Sequence, residues 1–197
     1  MSDPVAMNVN DRRTATLSWK KHGGLGVTPE PTNFEQLDQF RESEALSRDA
    51  NEYLRKAVEK AEDYVSLDNT PRDLNSTQGV VAVLRDGEEP REDSREFWAR
   101  DVDERAFVVF DPRTDKVNSF QFEAEGVAVW GSSESWDYRE SLSYEGGENP
   151  SLTWTYHKAD KENESRILSW SRELAPNADG TATYTSTAVN KLWGDKA

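Results

Sequence analysis

Bulky side chains fall on alternate positions through residues 135–184, in groups separated by polar stretches. The groups are Trp136, Tyr138, Leu142 and Tyr144; Leu152, Trp154 and Tyr156; Leu168, Trp170 and Leu174; and Ala182 and Tyr184. A two-residue period belongs to a strand with one dry and one wet face. The separators, 145–150, 159–164 and 176–180, are rich in Gly, Asn, Asp and Pro. Four consecutive strands of an antiparallel meander are therefore predicted, with a register that the pattern itself specifies.

The same test applied upstream gives a strand at 14–20, where Ala15, Leu17 and Trp19 alternate with Thr14, Thr16, Ser18 and Lys20. Gly23, Gly24 and Gly26 then forbid regular structure, and Pro29 and Pro31 extend the connection. From residue 32 the period changes. Thr32 and Glu35 have the spacing of a capping box; Phe34, Leu37 and Phe40 follow and, after a weaker stretch, Leu46, Ala50, Tyr53, Leu54, Ala57, Val58, Ala61, Tyr64 and Val65, whose steps of three and four make a stripe on one face. Glu52 and Lys56 lie on the polar side. The pattern predicts either one long helix to about Leu67 or two helices broken near 43–49.

Further strands are expected at 78–85, closed by Asp86-Gly87, at 105–110 and at 117–124, with 127–130 continuing past Gly126. Residues 88–96 are expected to be a solvent-facing loop, and 111–116, with Asp first and Pro second, a tight turn. Trp193 offers one more ring near the end of the chain. The fold class that follows is α+β, mostly β: a curved or barrel-like antiparallel meander of about seven to nine strands, with one long or two shorter N-terminal helices packed on it. Residues 1–31 form an extended N-terminal arm with a possible strand, 32–67 a helical segment and 78–193 the antiparallel β domain. Residues 32–197 make one globular unit.

Composition narrows this picture. Only 35% of the 197 residues are apolar and mean hydropathy is −0.91, so the core is thin and leans on seven Trp, seven Phe and six Tyr. A thin core suggests surfaces completed by partner subunits. The net charge of −14 argues against direct nucleic-acid binding, which draws on clustered Lys and Arg. That charge is uneven: residues 1–31 carry four basic and three acidic side chains, which leaves −15 on the rest. A mildly basic arm could dock on a neighbour's acidic body or lie on its own. No stretch reaches the roughly 20 apolar residues needed to span a bilayer, and the N-terminus lacks the apolar core of a secretory signal. A cytoplasmic protein, or one held within an assembled particle, is expected, with no membrane partner. The absence of cysteine fits a reducing compartment.

Chemistry-bearing motifs are sparse. The two histidines, His22 and His157, stand in no zinc-ligand spacing, and neither the P-loop, the dinucleotide fingerprint nor the nucleophile elbow occurs. No cofactor is called for. Asp101, Asp103 and Glu104 resemble hard-cation ligands in type only, without the glycine or terminal glutamate of an EF-hand. Glu123 and Glu125 share one strand face, whereas glycosidase acid–base pairs usually come from different strands.

The stronger candidate lies among the rings. Alternation places Glu140 between Tyr138 and Leu142, Arg172 between Trp170 and Leu174, and Lys158 after Tyr156 on the aromatic face. Charges among rings are costly to bury alone, so each needs a partner or a ligand. Glu140 and Arg172 are thus expected to pair internally, to stand at the rim where the strands end, or to face a cavity lined by Trp136, Trp154, Tyr156 and Trp170 that takes a small polar-aromatic or sugar-like molecule.

Three functional classes remain. The first is a non-enzymatic structural protein that self-assembles as a homo-oligomer or docks into a larger protein complex, such as a virion or another shell or tube. The second is a small-molecule-binding barrel or pocket with an aromatic cavity, lipocalin-like or isomerase-like. The turn at 111–116, followed by Phe120 and the tryptophan-bearing strands, resembles lipocalin-like sheets; the resemblance is one of fold and assigns no residue a role. The third is an acidic nucleic-acid mimic, suggested by net charge alone.

Overall fold

The computed structural model describes residues 9–20, 23–27, 32–87, 97–130 and 134–192. His22, the 88–96 loop and Trp193 lie outside them. Nine strands and one helix follow in the order β1 (Val9–Trp19), β2 (Leu25–Gly26), α1 (Phe34–Leu67), β3 (Gly79–Arg85), β4 (Phe97–Phe110), β5 (Val117–Trp130), β6 (Glu134–Glu145), β7 (Ser151–Asp160), β8 (Ile167–Pro176) and β9 (Thr181–Lys191). They make one open sheet in the order β2-β1-β9-β8-β7-β6-β5-β4-β3. Every neighbouring pair is antiparallel.

The alternation sets this architecture. One cross-strand row runs through Ala15, Tyr184, Leu174, Leu152, Tyr144, Phe120, Val108 and Val81, each directly opposite the next. All eight are buried, and each large member contributes about 1.5–3 kcal/mol by leaving water. The expected end of the first strand near Lys20 holds, but the glycine-rich stretch is not wholly irregular. Leu25-Gly26 returns as β2 because Lys20 and Gly24 close a turn, and because Asn51 of α1 clamps Leu25, accepting from its amide at 2.8 Å and donating to its carbonyl at 3.0 Å.

α1 is a single unbroken helix, so the break allowed for at 43–49 does not occur. Ser47 holds that turn by donating to the Glu44 carbonyl at 2.7 Å. The cap sits one residue later than the Thr32/Glu35 spacing implied: Asn33 accepts from the Gln36 amide at 2.9 Å, and the Gln36 side chain reaches back to Thr32. Leu46, Ala50, Ala57, Ala61, Tyr64 and Val65 are buried against the sheet, whereas Phe34, at the helix start, is 88% exposed. Ion pairs Arg48–Glu44, Arg55–Glu59 and Lys56–Glu52 occupy the polar side.

β5 does continue through Gly126, which stands at φ 149° beside a register shift between Ala99 and Asp101 of β4. A Cβ at Gly126 would collide with the Asp101 carbonyl, so the close approach of the two backbones at this bulge requires glycine. No helix among the described residues is long and apolar enough to cross a membrane.

Candidate functional site

The aromatic face of the meander is the face that α1 covers. Tyr53, on the helix, meets Trp154 and Trp170 edge-on with centroids 5.7 and 5.5 Å away, and Trp154 and Trp170 lie 5.7 Å apart. Beyond the helix the row continues as Trp170, Tyr156 and Glu140 on β8, β7 and β6. Tyr156 and Trp170 stack in parallel at 5.4 Å, and Tyr138 abuts Tyr156 at 5.6 Å.

Glu140 and Arg172 share this face but do not pair with each other. Arg172 stands opposite Trp154, while Glu140 stands opposite Tyr156 one row further along. Each charge finds separate partners. Arg172 donates from Nε to Asp49 Oδ2 of α1 at 3.1 Å, and from Nη1 to the Ser171 carbonyl at 3.1 Å. Its guanidinium also lies over the Tyr53 and Trp170 rings, at 4.6 and 5.3 Å. The same Asp49 oxygen accepts from the hydroxyl of Tyr184, which is fully buried. Glu140 accepts from the Tyr138 hydroxyl at 2.7 Å and from the Trp154 indole nitrogen at 3.2 Å.

These arrangements move the phenols. Tyr138 and Tyr184 are pushed far above the ordinary value of 10, first by burial and then by the adjacent carboxylates Glu140 and Asp49. Tyr156 is raised to about 12 by burial and Glu140, and Tyr64 to about 12 chiefly by burial. A neutral hydroxyl that donates to a carboxylate loses the bond when it ionises, so burial and bonding act in the same direction.

Trp136 lies apart, opposite Asp160 at the far end of β6. Its ring is covered by the Lys158 ammonium at 4.8 Å and the Arg166 guanidinium at 5.1 Å, and Arg166 is fixed by Asp160 at 2.7 Å. The structure therefore brings Glu140, Trp154, Tyr156, Trp170 and Arg172 onto one contiguous patch and sets Trp136 outside it. Asp49, Tyr53, Tyr138 and Tyr184, which partner the charges and rings of that patch, were not singled out from the sequence as site residues. Asp49 had a signal, being an acid embedded in the helix's apolar stripe between Leu46 and Tyr53.

The opposite face of the sheet is polar. An open groove of about 540 Å³ runs across β4–β7, lined in part by Asp103, Arg105, Glu123, Glu125, Arg139 and His157. Arg105 faces Glu123, Glu125 faces both Asp103 and Arg139, and Arg139 faces His157. Partial burial and the neighbouring Arg139 hold His157 below its ordinary 6.5, against the pull of Asp137. Among the described residues no group of three or more His, Asp or Glu is placed to hold a metal ion.

On this same side, at the sheet margin, the character changes. Val80 and Leu84 of β3 are 52% and 78% exposed, and Phe107 of β4 is 45% exposed. A groove of about 310 Å³ beside them is lined partly by Ala82, Leu84 and Phe107. β3 pairs with β4 on one side and has no strand neighbour on the other among the described residues.

Comparison with protein-family models, with curated proteins and with solved structures finds no match.

Proposed function

We propose that the chain is a non-enzymatic structural protein that self-assembles through the open margin of its sheet, as a building block of a shell, tube or other large complex. The observation that carries this reading is the β3 edge, where Val80 and Leu84 stand exposed on a strand whose outer side has no strand partner among the described residues. An exposed apolar edge is a template for another strand, and monomeric proteins usually blunt such edges with charge, proline or a covering element. Between Gly79 and Leu84 there is no charge and no proline. The charged residues of the aromatic patch support the same reading, since Arg172 and Glu140 are each held by the chain's own side chains. Size-exclusion chromatography with light scattering, over a range of concentration and salt, tests it. Masses above the 22.4 kDa of one chain support assembly, and a strict monomer throughout refutes it.

A second reading, a small-molecule-binding protein, is favoured by the parallel Tyr156–Trp170 stack beside Glu140, all three only partly buried. Tryptophan quenching or a thermal shift against a metabolite panel tests it, with the response expected to vanish in Trp170→Ala; no response across the panel counts against it.

A further inference from the structure

We propose that the β3 edge joins a second copy of this chain: two β3 strands pair antiparallel about a two-fold axis at Ala82, making one continuous sheet from two nine-stranded ones. The proposal rests on the assembly reading above and names its partner and register.

Among the described residues two edges are open to such pairing, and they differ in chemistry. The β1 edge carries Asp11, Arg12 and Arg13, with Arg13 and Asp11 in an ion pair at 2.9 Å, and its C-terminal end is capped by β2 at Ser18 and Trp19. Charges of that kind are a standard device against edge-to-edge association. β3 has no such guard until Arg85.

The sequence of β3 is complementary to itself. Ala82 is the midpoint of Gly79–Arg85, so an axis there gives every residue of the strand a partner. Val80 falls opposite Leu84, Val81 opposite Val83, Ala82 opposite Ala82, and Arg85 opposite Gly79. Residues opposite each other in an antiparallel pair project to the same face. The two exposed residues, Val80 and Leu84, therefore cover each other on the outer face, while Val81 and Val83 extend the core on the helix face. No like charges stand opposite, and the long Arg85 meets the one residue without a side chain. The neighbouring registers are poorer: an axis at Val81 sets Leu84 against Gln78, and one at Val83 sets Val80 against Asp86. An isologous contact of this kind closes after two copies, so this seam makes a dimer, and any larger complex is built from that dimer through other surfaces.

The chain's lack of cysteine makes the test direct. Ala82→Cys supplies the only thiol, on an exposed position, and opposite residues of an antiparallel pair have Cα atoms about 4.5–5.5 Å apart, inside the disulfide range of about 4.4–6.8 Å. Under mild oxidation A82C is expected to form a covalent dimer at least tenfold faster than T153C, an exposed control on β7. Differently tagged V80C and L84C chains are expected to cross-link to each other in preference to themselves. L84K is expected to be monomeric with an unchanged far-ultraviolet dichroism spectrum, which provides a second reading independent of the thiols. If the native chain assembles while A82C reacts no faster than T153C, self-assembly stands and this seam is wrong. If the native chain is monomeric at every concentration, both fall, and the edge belongs to a partner of different sequence.

Discussion

Removing the carboxylate of Asp49 perturbs the contact that ties α1 to the far strands of the sheet. Asp49→Ala leaves the Tyr184 hydroxyl without its acceptor in a fully buried site, and a stranded buried donor costs about 1–3 kcal/mol. It also deprives Arg172 of its ionic partner. That pair is partly open to water, with the two side chains 14% and 30% exposed, so its share is nearer the ~1 kcal/mol of screened pairs than the cost of breaking a fully buried one. Arg172 retains the Ser171 carbonyl and the Tyr53 ring, which limits the loss further. The sum is about 2–4 kcal/mol, or a drop in melting temperature of roughly 4–16 °C for a chain of this size. Asp49→Asn keeps an acceptor for Tyr184 and is expected to lose about half as much. Urea denaturation followed by circular dichroism measures all of this, and a double-mutant cycle with Tyr184→Phe is expected to return about 1 kcal/mol or more of coupling. A D49A protein within about 0.5 kcal/mol of the native chain, or a coupling of zero, would refute the assignment of Asp49 as the anchor.

The remaining expectations concern pH. His157 has a folded pKa below its ordinary 6.5, so below about pH 6.5 the unfolded chain binds more protons and stability falls, while above it the contribution is complete. His157→Gln is expected to flatten the stability profile between about pH 5 and 7; an unchanged slope, or an NMR titration midpoint at or above 6.5, contradicts this. Tyr64, Tyr138, Tyr156 and Tyr184 all have raised folded values, so their contribution is complete below about pH 10 and is lost as pH rises beyond it. Phenolate absorbance in the folded chain at about pH 11 is expected to report none of these four, with a jump on unfolding; a smooth titration of all six tyrosines near 10 argues against the buried hydroxyl contacts.

Local pattern and long-range placement were unequally legible in the sequence. Strict alternation gave β6–β9 their faces, and the same count put Glu140 and Arg172 on the helix side of the sheet. Their partners depended on quantities that no local window contains. Pairing of Arg172 with Asp49 requires α1 to cross β8 at a particular turn, and a stagger of one row along the strands separates Arg172 from Glu140. The continuity of α1 through 43–49 was similarly hidden, because that stretch offers only Ala45 and Leu46 as apolar positions and is held by Ser47 and tertiary contact. β2 was masked by glycines, since its strand character comes from the Asn51 clamp rather than from its own side chains. The helix cap was displaced by one residue because Asn33 competes with Thr32 for the same role.

The openness of the sheet is the feature on which the functional account turns. Among the described residues nine strands leave two margins, of which one is charged and the other apolar. Each copy carries −14, so two bodies repel while the β3 seam itself holds little charge. Screening, with a Debye length near 10 Å at 0.1 M salt, should relieve the repulsion and leave the apolar contact intact. Docking of the basic arm on an acidic neighbour would respond to salt in the opposite sense.

Sedimentation equilibrium of the native chain against a salt series is the most direct test of assembly through β3. Assembly through β3 predicts a mass of at least twice 22.4 kDa, with a pairing constant that tightens as salt rises, and loss of the pair in L84K. A monomer at every salt concentration, or a dimer that salt dissolves and L84K leaves intact, would contradict it.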